Sequence, residues 1–135
     1  MAGAGTELGA LVRGMRPVLH DGVYVFATLP SAMDPASVDA VATIREREGW
    51  TVVVEESEAG RAGLAVLFRA AWITLSVDSD LHAVGFTAAF AAVLAEAGIA
   101  CNVIAGAHHD HVFVPVELAQ PALARLCALQ ECGGD

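Results

Sequence analysis

Apolar residues at Leu8, Leu11, Val12 and Met15 keep the i, i+3, i+4, i+7 spacing of one helical face, with Thr6 placed to cap the helix and Pro17 to end it. Residues 17–19 and 23–29 are apolar runs on either side of His20-Asp21-Gly22, and an Asp-Gly turn between such runs predicts a hairpin. Asp34-Pro35 reads as the cap and first residue of a second, short helix that turns Val38, Val41 and Ala42 inward and closes at Gly49. Residues 50–55 are a β-branched run and predict a strand. Residues 56–61 form a polar, helix-compatible connection to the apolar residues 64–68, and a second strand-rich stretch covers 71–77.

The strongest helix follows Asp78-Ser79-Asp80. Phe86, Phe90, Val93 and Leu94 hold its large apolar face, while Ala88, Ala91, Ala92 and Ala95 make a second, smooth one, so it can pack on two sides. Gly98 ends it, residues 99–104 predict a strand, 105–110 a turn and 111–116 another strand. Pro121 stands near the start of a last helix through Leu123, Leu126 and Leu129. Residues 71–129 therefore read β-α-β-β-α, one strand short of a ferredoxin-like unit, and that strand has to come from the N-terminal half. Tyr24 to Thr51 and Ile73 to Ala100 each join strand, helix and strand over the same separation, a weak internal repeat. The expected fold is α+β: two ferredoxin-like units sharing a core, with antiparallel sheets and helices on one face. The units divide as residues 1–68 and 69–135.

Composition removes several functions. Seven basic residues, all arginine, face sixteen acids, for a formal charge of −9. No basic stripe exists to neutralise phosphates, which argues against a nucleic-acid partner. Mean hydropathy is high at +0.56, and residues 83–107 carry only Glu96 as an ionised side chain. Gly98 and Asn102 interrupt that span, however, and it reads as a buried helix followed by a core strand rather than a membrane segment. The three cysteines, Cys101, Cys127 and Cys132, are odd in number and have no CxxC spacing. No cleavable leader is legible, and the expected location is the reducing cytoplasm.

Candidate chemistry gathers in three places. His108, His109, Asp110 and His111 are consecutive. On a strand His109 and His111 share one face and His108 with Asp110 the other, so a strand offers a metal two ligands where tight zinc binding wants three or four. Catalysis by a histidine needs a partner, and Ser76, Asp78 and Ser79 are near only if their loop faces the cluster. No GxSxG, paired-carboxylate or phosphate-loop pattern is present, and the chain is expected not to be an enzyme. The plainest use of the cluster is a turn in which Asp110 bonds backbone amides.

The second place is the strand-to-helix junction of residues 77–85. Free amides at a helix start attract a carboxylate, Gly85 lets a ligand approach the backbone, and Asp78 and Asp80 suit an ammonium or guanidinium group. Alternatively, Ser79 or Asp80 simply caps the helix. The third is Asn102, a lone amide in an apolar strand, which needs a partner if buried.

In order along the chain, ATIREREGWTVV, WITLSVDSDLHAVGFTAA and EAGIACNVIAGAHHDHVFVPV resemble small bacterial tandem ACT-domain proteins, the type also found in the cytosolic arginine sensor of eukaryotic nutrient signalling. The resemblance runs from about Leu11 to Leu129 and is most specific from Leu75 to Pro115. It implies two ferredoxin-like ACT units and a non-catalytic regulatory or sensor role. It also implies an amino-acid site built from the first strand-to-helix loop (Asp78, Ser79, Asp80, Leu81, Ala83, Val84, Gly85 and Phe86) and the neighbouring strand residues Ala100, Cys101 and Asn102. The histidine cluster becomes the turn after that strand, facing the ligand or a metal. The implied partners are a small amino acid and a second copy of the chain, acting allosterically, with no cofactor. Ala107, where an aromatic residue is expected, and the acidic Asp78 and Asp80 depart from the pattern. A metal-binding protein using residues 108–111 and a pure protein-interaction module are the alternatives.

Overall fold

The computed structural model describes residues 4–76 and 81–132. Helix α1 (Ala4–Gly14) and strand β1 (Pro17–Leu19) come first. They are followed by β2 (Tyr24–Pro30), a 3-10 turn (Pro35–Ser37), β3 (Ala40–Glu46), β4 (Gly49–Glu55), α2 (Glu56–Ala62) and β5 (Val66–Leu75). The chain continues with α3 (Phe86–Glu96), β6 (Asn102–Ala105), β7 (Asp110–Pro115), a second 3-10 turn and α4 (Ala119–Cys132). Two compact units result. One is the continuous segment Asp21–Ala71; the other joins residues 1–20 to 72–135. This spatial division and the division in sequence order, 1–68 and 69–135, assign residues 1–20 to different units.

In the Asp21–Ala71 unit the strands lie in the order β3-β4-β2-β5, with antiparallel pairing. The period of two puts Val25, Ala27 and Leu29 on one face of β2 and Val52 and Val54 on the same face of β4. Val38, from the segment before β3, and Ala59, from α2, join the same buried cluster. Helix α2 ends on Gly63 in the left-handed region, which favours glycine. The Glu58 carboxylate ties this helix to the turn before β3, accepting from the Asp39 amide at 2.8 Å while Arg61 holds its other side.

In the second unit the strand order is β1-β5-β7-β6. The strand that residues 71–129 lack is β1, which pairs antiparallel with the end of β5, Pro17 opposite Leu75 and Leu19 opposite Ile73. Helices α1, α3 and α4 pack together. Met15, Ile73, Leu75, Phe90, Leu94 and Leu126 are among the fully buried side chains of this unit.

Several local expectations give way to tertiary pairing. Thr6 lies inside α1 rather than capping it. β1 and β2 do not form a hairpin. Each pairs with a different stretch of β5, and Asp21-Gly22 is the link between the units rather than a hairpin turn. The second helix is only the Pro35–Ser37 turn. Asp34 does cap it, accepting from the Ala36 amide at 2.9 Å, but Val38 is already extended. Residues 40–46 are instead a strand rich in β-branched residues (Val41, Thr43 and Ile44), in which Ala40, Ala42 and Thr43 pair with Val54, Val53 and Val52 of β4. Gly49 therefore starts β4 rather than ending a helix. The apolar stretches at 64–68 and 71–77 merge into the single ten-residue β5.

Candidate functional site

The helix expected to follow Asp78-Ser79-Asp80 begins later, at Phe86. Gly85 is its N-cap, at φ 91°, a left-handed conformation that favours glycine, and no side chain caps it. The cap is thus neither Ser79 nor Asp80; Asp78, Ser79 and Asp80 lie outside the described residues. The first helical hydrogen bond runs from the Ala89 amide to the Gly85 carbonyl at 2.9 Å, so the amides of Phe86, Thr87 and Ala88 precede the helical ladder. Leu81, Ala83 and Val84 form an exposed turn, Leu81 at 68% and Val84 at 80% exposure, whereas Phe86 is buried against Phe90.

Ala100 and Cys101 precede β6 rather than belonging to it, and Asn102 opens the strand opposite Phe113. Asn102 is exposed, so its amide meets solvent and needs no partner within the fold. Burial pushes the Cys101 thiol up, which makes it a poor nucleophile.

The histidine cluster splits. His108 and His109 are exposed, while Asp110 is buried as the first residue of β7 instead of the last of a turn. Burial raises the Asp110 pKa, with His111 opposing. His111 is half-buried. Its Nδ1 accepts from the Trp72 indole N–H at 3.1 Å and lies 3.1 Å from the Thr74 hydroxyl, which is itself 2.7 Å from His20 Nε2. The His20 ring stacks on Trp72, centroids 3.6 Å apart at 8°. Burial first, then His109 and His20, hold the His111 pKa below the usual histidine value; Asp110 pulls the other way. Among the described residues no three histidine, cysteine or carboxylate side chains converge on a point where a metal could sit.

His20, Trp72 and Thr74 are the participants that sequence reading misses. Trp72 and Thr74 alternate with Ile73 and Leu75 along β5, which marks one shared face. Nothing local announces that His20 and Thr74, fifty-four positions apart, meet. The turn entering β7 is tight. The Gly106 amide donates to the His109 carbonyl at 2.9 Å, and a Cβ on Gly106 would lie 3.0 Å from that oxygen and 3.3 Å from His111 Nε2. Gly106→Ala should cost about 1–2 kcal/mol by overpacking, measured by urea denaturation. A neutral result would show that the turn relaxes freely.

In the Asp21–Ala71 unit an open cavity of about 270 Å³ is lined by Thr28, Pro30, Glu46, Glu48, Trp50 and Thr51, among others. None of the candidate binding residues lines it.

These strands, which belong to one sheet running through β5, and their helices can be matched to known families. One ACT-domain model matches residues 4–71 and a second matches 68–128. The chain belongs to the ACT-domain family. A Vibrio cholerae protein of unknown function, described as a possible transport protein, is 46% identical to this ACT chain, with TM-score 0.84, over 95% of this chain and 99% of that one. The Agrobacterium tumefaciens protein Atu0741 is 17% identical, with TM-score 0.68, over 84% of this chain and 87% of that one. The ligand-free regulatory subunit of aspartate kinase from Thermus thermophilus is 14% identical, with TM-score 0.62, over 83% and 94%. At those lower identities the likeness is one of ACT fold. No curated protein matches the chain. ACT domains are regulatory modules, and no described helix is long and apolar enough to cross a membrane.

Proposed function

We propose that this ACT-domain protein is a non-catalytic sensor that binds a small amino acid through the segment of residues 78–86, together with Ala100, Cys101 and Asn102. The observation that carries the reading is the start of α3: Gly85 is left-handed, no side chain caps the helix, and the amides ahead of Ala89 suit an α-carboxylate. Asp78, Asp80 or the exposed Asn102 then takes the ammonium group or the ligand's side chain. Binding favours whichever arrangement closes on the ligand, which makes the module allosteric, and a homodimer is the natural regulated form. Cys101 and Cys127 are free thiols, in keeping with a reducing, cytoplasmic setting.

A thermal-shift screen of the chelator-treated protein against the twenty amino acids tests this. A ligand at one hundred times its Kd adds about 2.7 kcal/mol, a shift of several degrees in a domain of this size. In Gly85→Ala the shift should vanish while the circular dichroism spectrum is kept, since a Cβ there meets only Leu8, at 3.4 Å, and the left-handed backbone costs about 1 kcal/mol. If no amino acid shifts the wild type, the sensor reading is wrong. If one does and Gly85→Ala binds it equally well, the site lies elsewhere.

A further inference from the structure

His111 is held from two sides in a way that fixes where its proton sits. An indole nitrogen only donates, so the 3.1 Å bond from Trp72 makes His111 Nδ1 a lone-pair acceptor and leaves the imidazole neutral with its proton on Nε2. With Nδ1 an acceptor, the Thr74 hydroxyl donates to it and accepts from His20 Nε2–H, whose ring lies flat on the same indole. The hydrogen bonds thus run from His20 through Thr74 to His111, and from Trp72 to His111.

A proton added at Nδ1 affects the two donors differently. The Thr74 hydroxyl can turn round and accept. The Trp72 N–H cannot, and two N–H groups would face each other at 3.1 Å. We propose that the Trp72–His111 bond is an acid-sensitive latch inside this unit, and that protonation of His111 at Nδ1 expels the indole N–H from β7 and loosens its stack on His20.

The titratable groups facing His111 are His20, just after β1, His109, from the turn before β7, and Asp110, beside it on β7. Charge on either histidine opposes protonation, and the Asp110 carboxylate favours it. In the unfolded chain a histidine titrates near about 6.5, above its depressed folded value. The unfolded state then takes the proton first, so the stabilisation from His111 is complete above that pH and is lost as pH falls through the folded value.

The test follows ¹⁵N imidazole and indole resonances of the full chain against pH, with Trp72 assigned through Trp72→Phe. His111 is expected to titrate below about 6.5 with an unprotonated Nδ1, and the Trp72 indole signal should move with the same midpoint. Trp72→Phe removes the donor that cannot reverse, so it should raise the His111 midpoint by about half a unit or more. His111→Asn offers an amide oxygen in place of Nδ1 and does not titrate, and with His20→Phe in the same chain to remove the imidazole stacked on the indole, the Trp72 signal should become flat from about pH 5 to 7. That variant decides the matter even if Trp72→Phe fails to fold. A Trp72 signal that ignores the His111 titration, or one that still moves when His111→Asn and His20→Phe are combined, overturns the latch.

Discussion

Phe90→Ala should lose about 3–5 kcal/mol of folding stability, measured by urea denaturation followed by circular dichroism. The side chain is fully buried in the middle of α3, and its ring meets Phe86 edge-on at a centroid distance of 5.2 Å, with the fully buried Leu94 one turn further along. Truncation removes the ring's transfer free energy and leaves a hole that the surrounding side chains can only partly fill. For a domain whose total stability is on the order of 5–15 kcal/mol, such a loss takes a large share of the whole. A measured cost below about 1.5 kcal/mol would mean that α3 collapses onto the gap, and that this part of the core is far more plastic than its packing indicates.

Gly49→Ala should be nearly as severe, at about 3 kcal/mol, because two penalties coincide. Gly49 has φ 146°, in the region that side chains avoid, and a Cβ built there would sit 2.5 Å from the Leu29 carbonyl oxygen and 3.3 Å from the Ser31 amide. Both are backbone atoms at the end of β2, and Pro30 is the register partner of Gly49, so relief requires moving the β2–β4 pair itself. Gly22 supplies the control. It has φ 94°, yet a Cβ there meets nothing within 4 Å, so Gly22→Ala should carry only the backbone term, about 1 kcal/mol. Thermal unfolding of the two variants side by side separates the close approach from the dihedral. Equal losses would show that the contact with Leu29 yields easily.

The same glycine shows where sequence reading succeeds and where it fails. Gly49 is a correct breaker signal, but it breaks between two strands rather than ending a helix. The helix expected after Asp34 was suggested by a genuine cap, since Asp34 does hold the Ala36 amide. A cap fixes only one turn, and the β-branched residues beyond it found better company in β4. Likewise, Asp21-Gly22 is a real turn dipeptide whose flanking strands pair elsewhere, because pairing partners are chosen by the whole sheet. Periodic signals fared better. The apolar faces of α1 and α3, the existence of β4, β6 and β7, and the need for a strand from the N-terminal half were all legible from spacing.

The strand-to-helix junction was legible as a region and not in its detail. Gly85 stood out in the sequence, yet the helix start moved to it from Ser79 or Asp80, since a left-handed cap depends on the path of the preceding turn. Asn102 read as a buried amide because its neighbours are apolar, but it sits at the first position of an exposed strand end. The histidine cluster advertised itself, while the side chains that give His111 its character, Trp72, Thr74 and His20, were invisible because they arrive from β5 and from the end of β1.

Strand β1 has a consequence for the order of assembly on the ribosome. Its partner in the sheet is the far end of β5, more than fifty positions downstream, and the unit it completes also needs α3, β7 and α4. The first twenty residues must therefore emerge and wait, while the continuous segment Asp21–Ala71 has all its own strands in hand much earlier. Contacts across so long an intervening loop form slowly. During synthesis one half of this protein can be finished while the other still consists of two separated pieces, and the exposed apolar face of α1 during that interval is where a chaperone would be needed most.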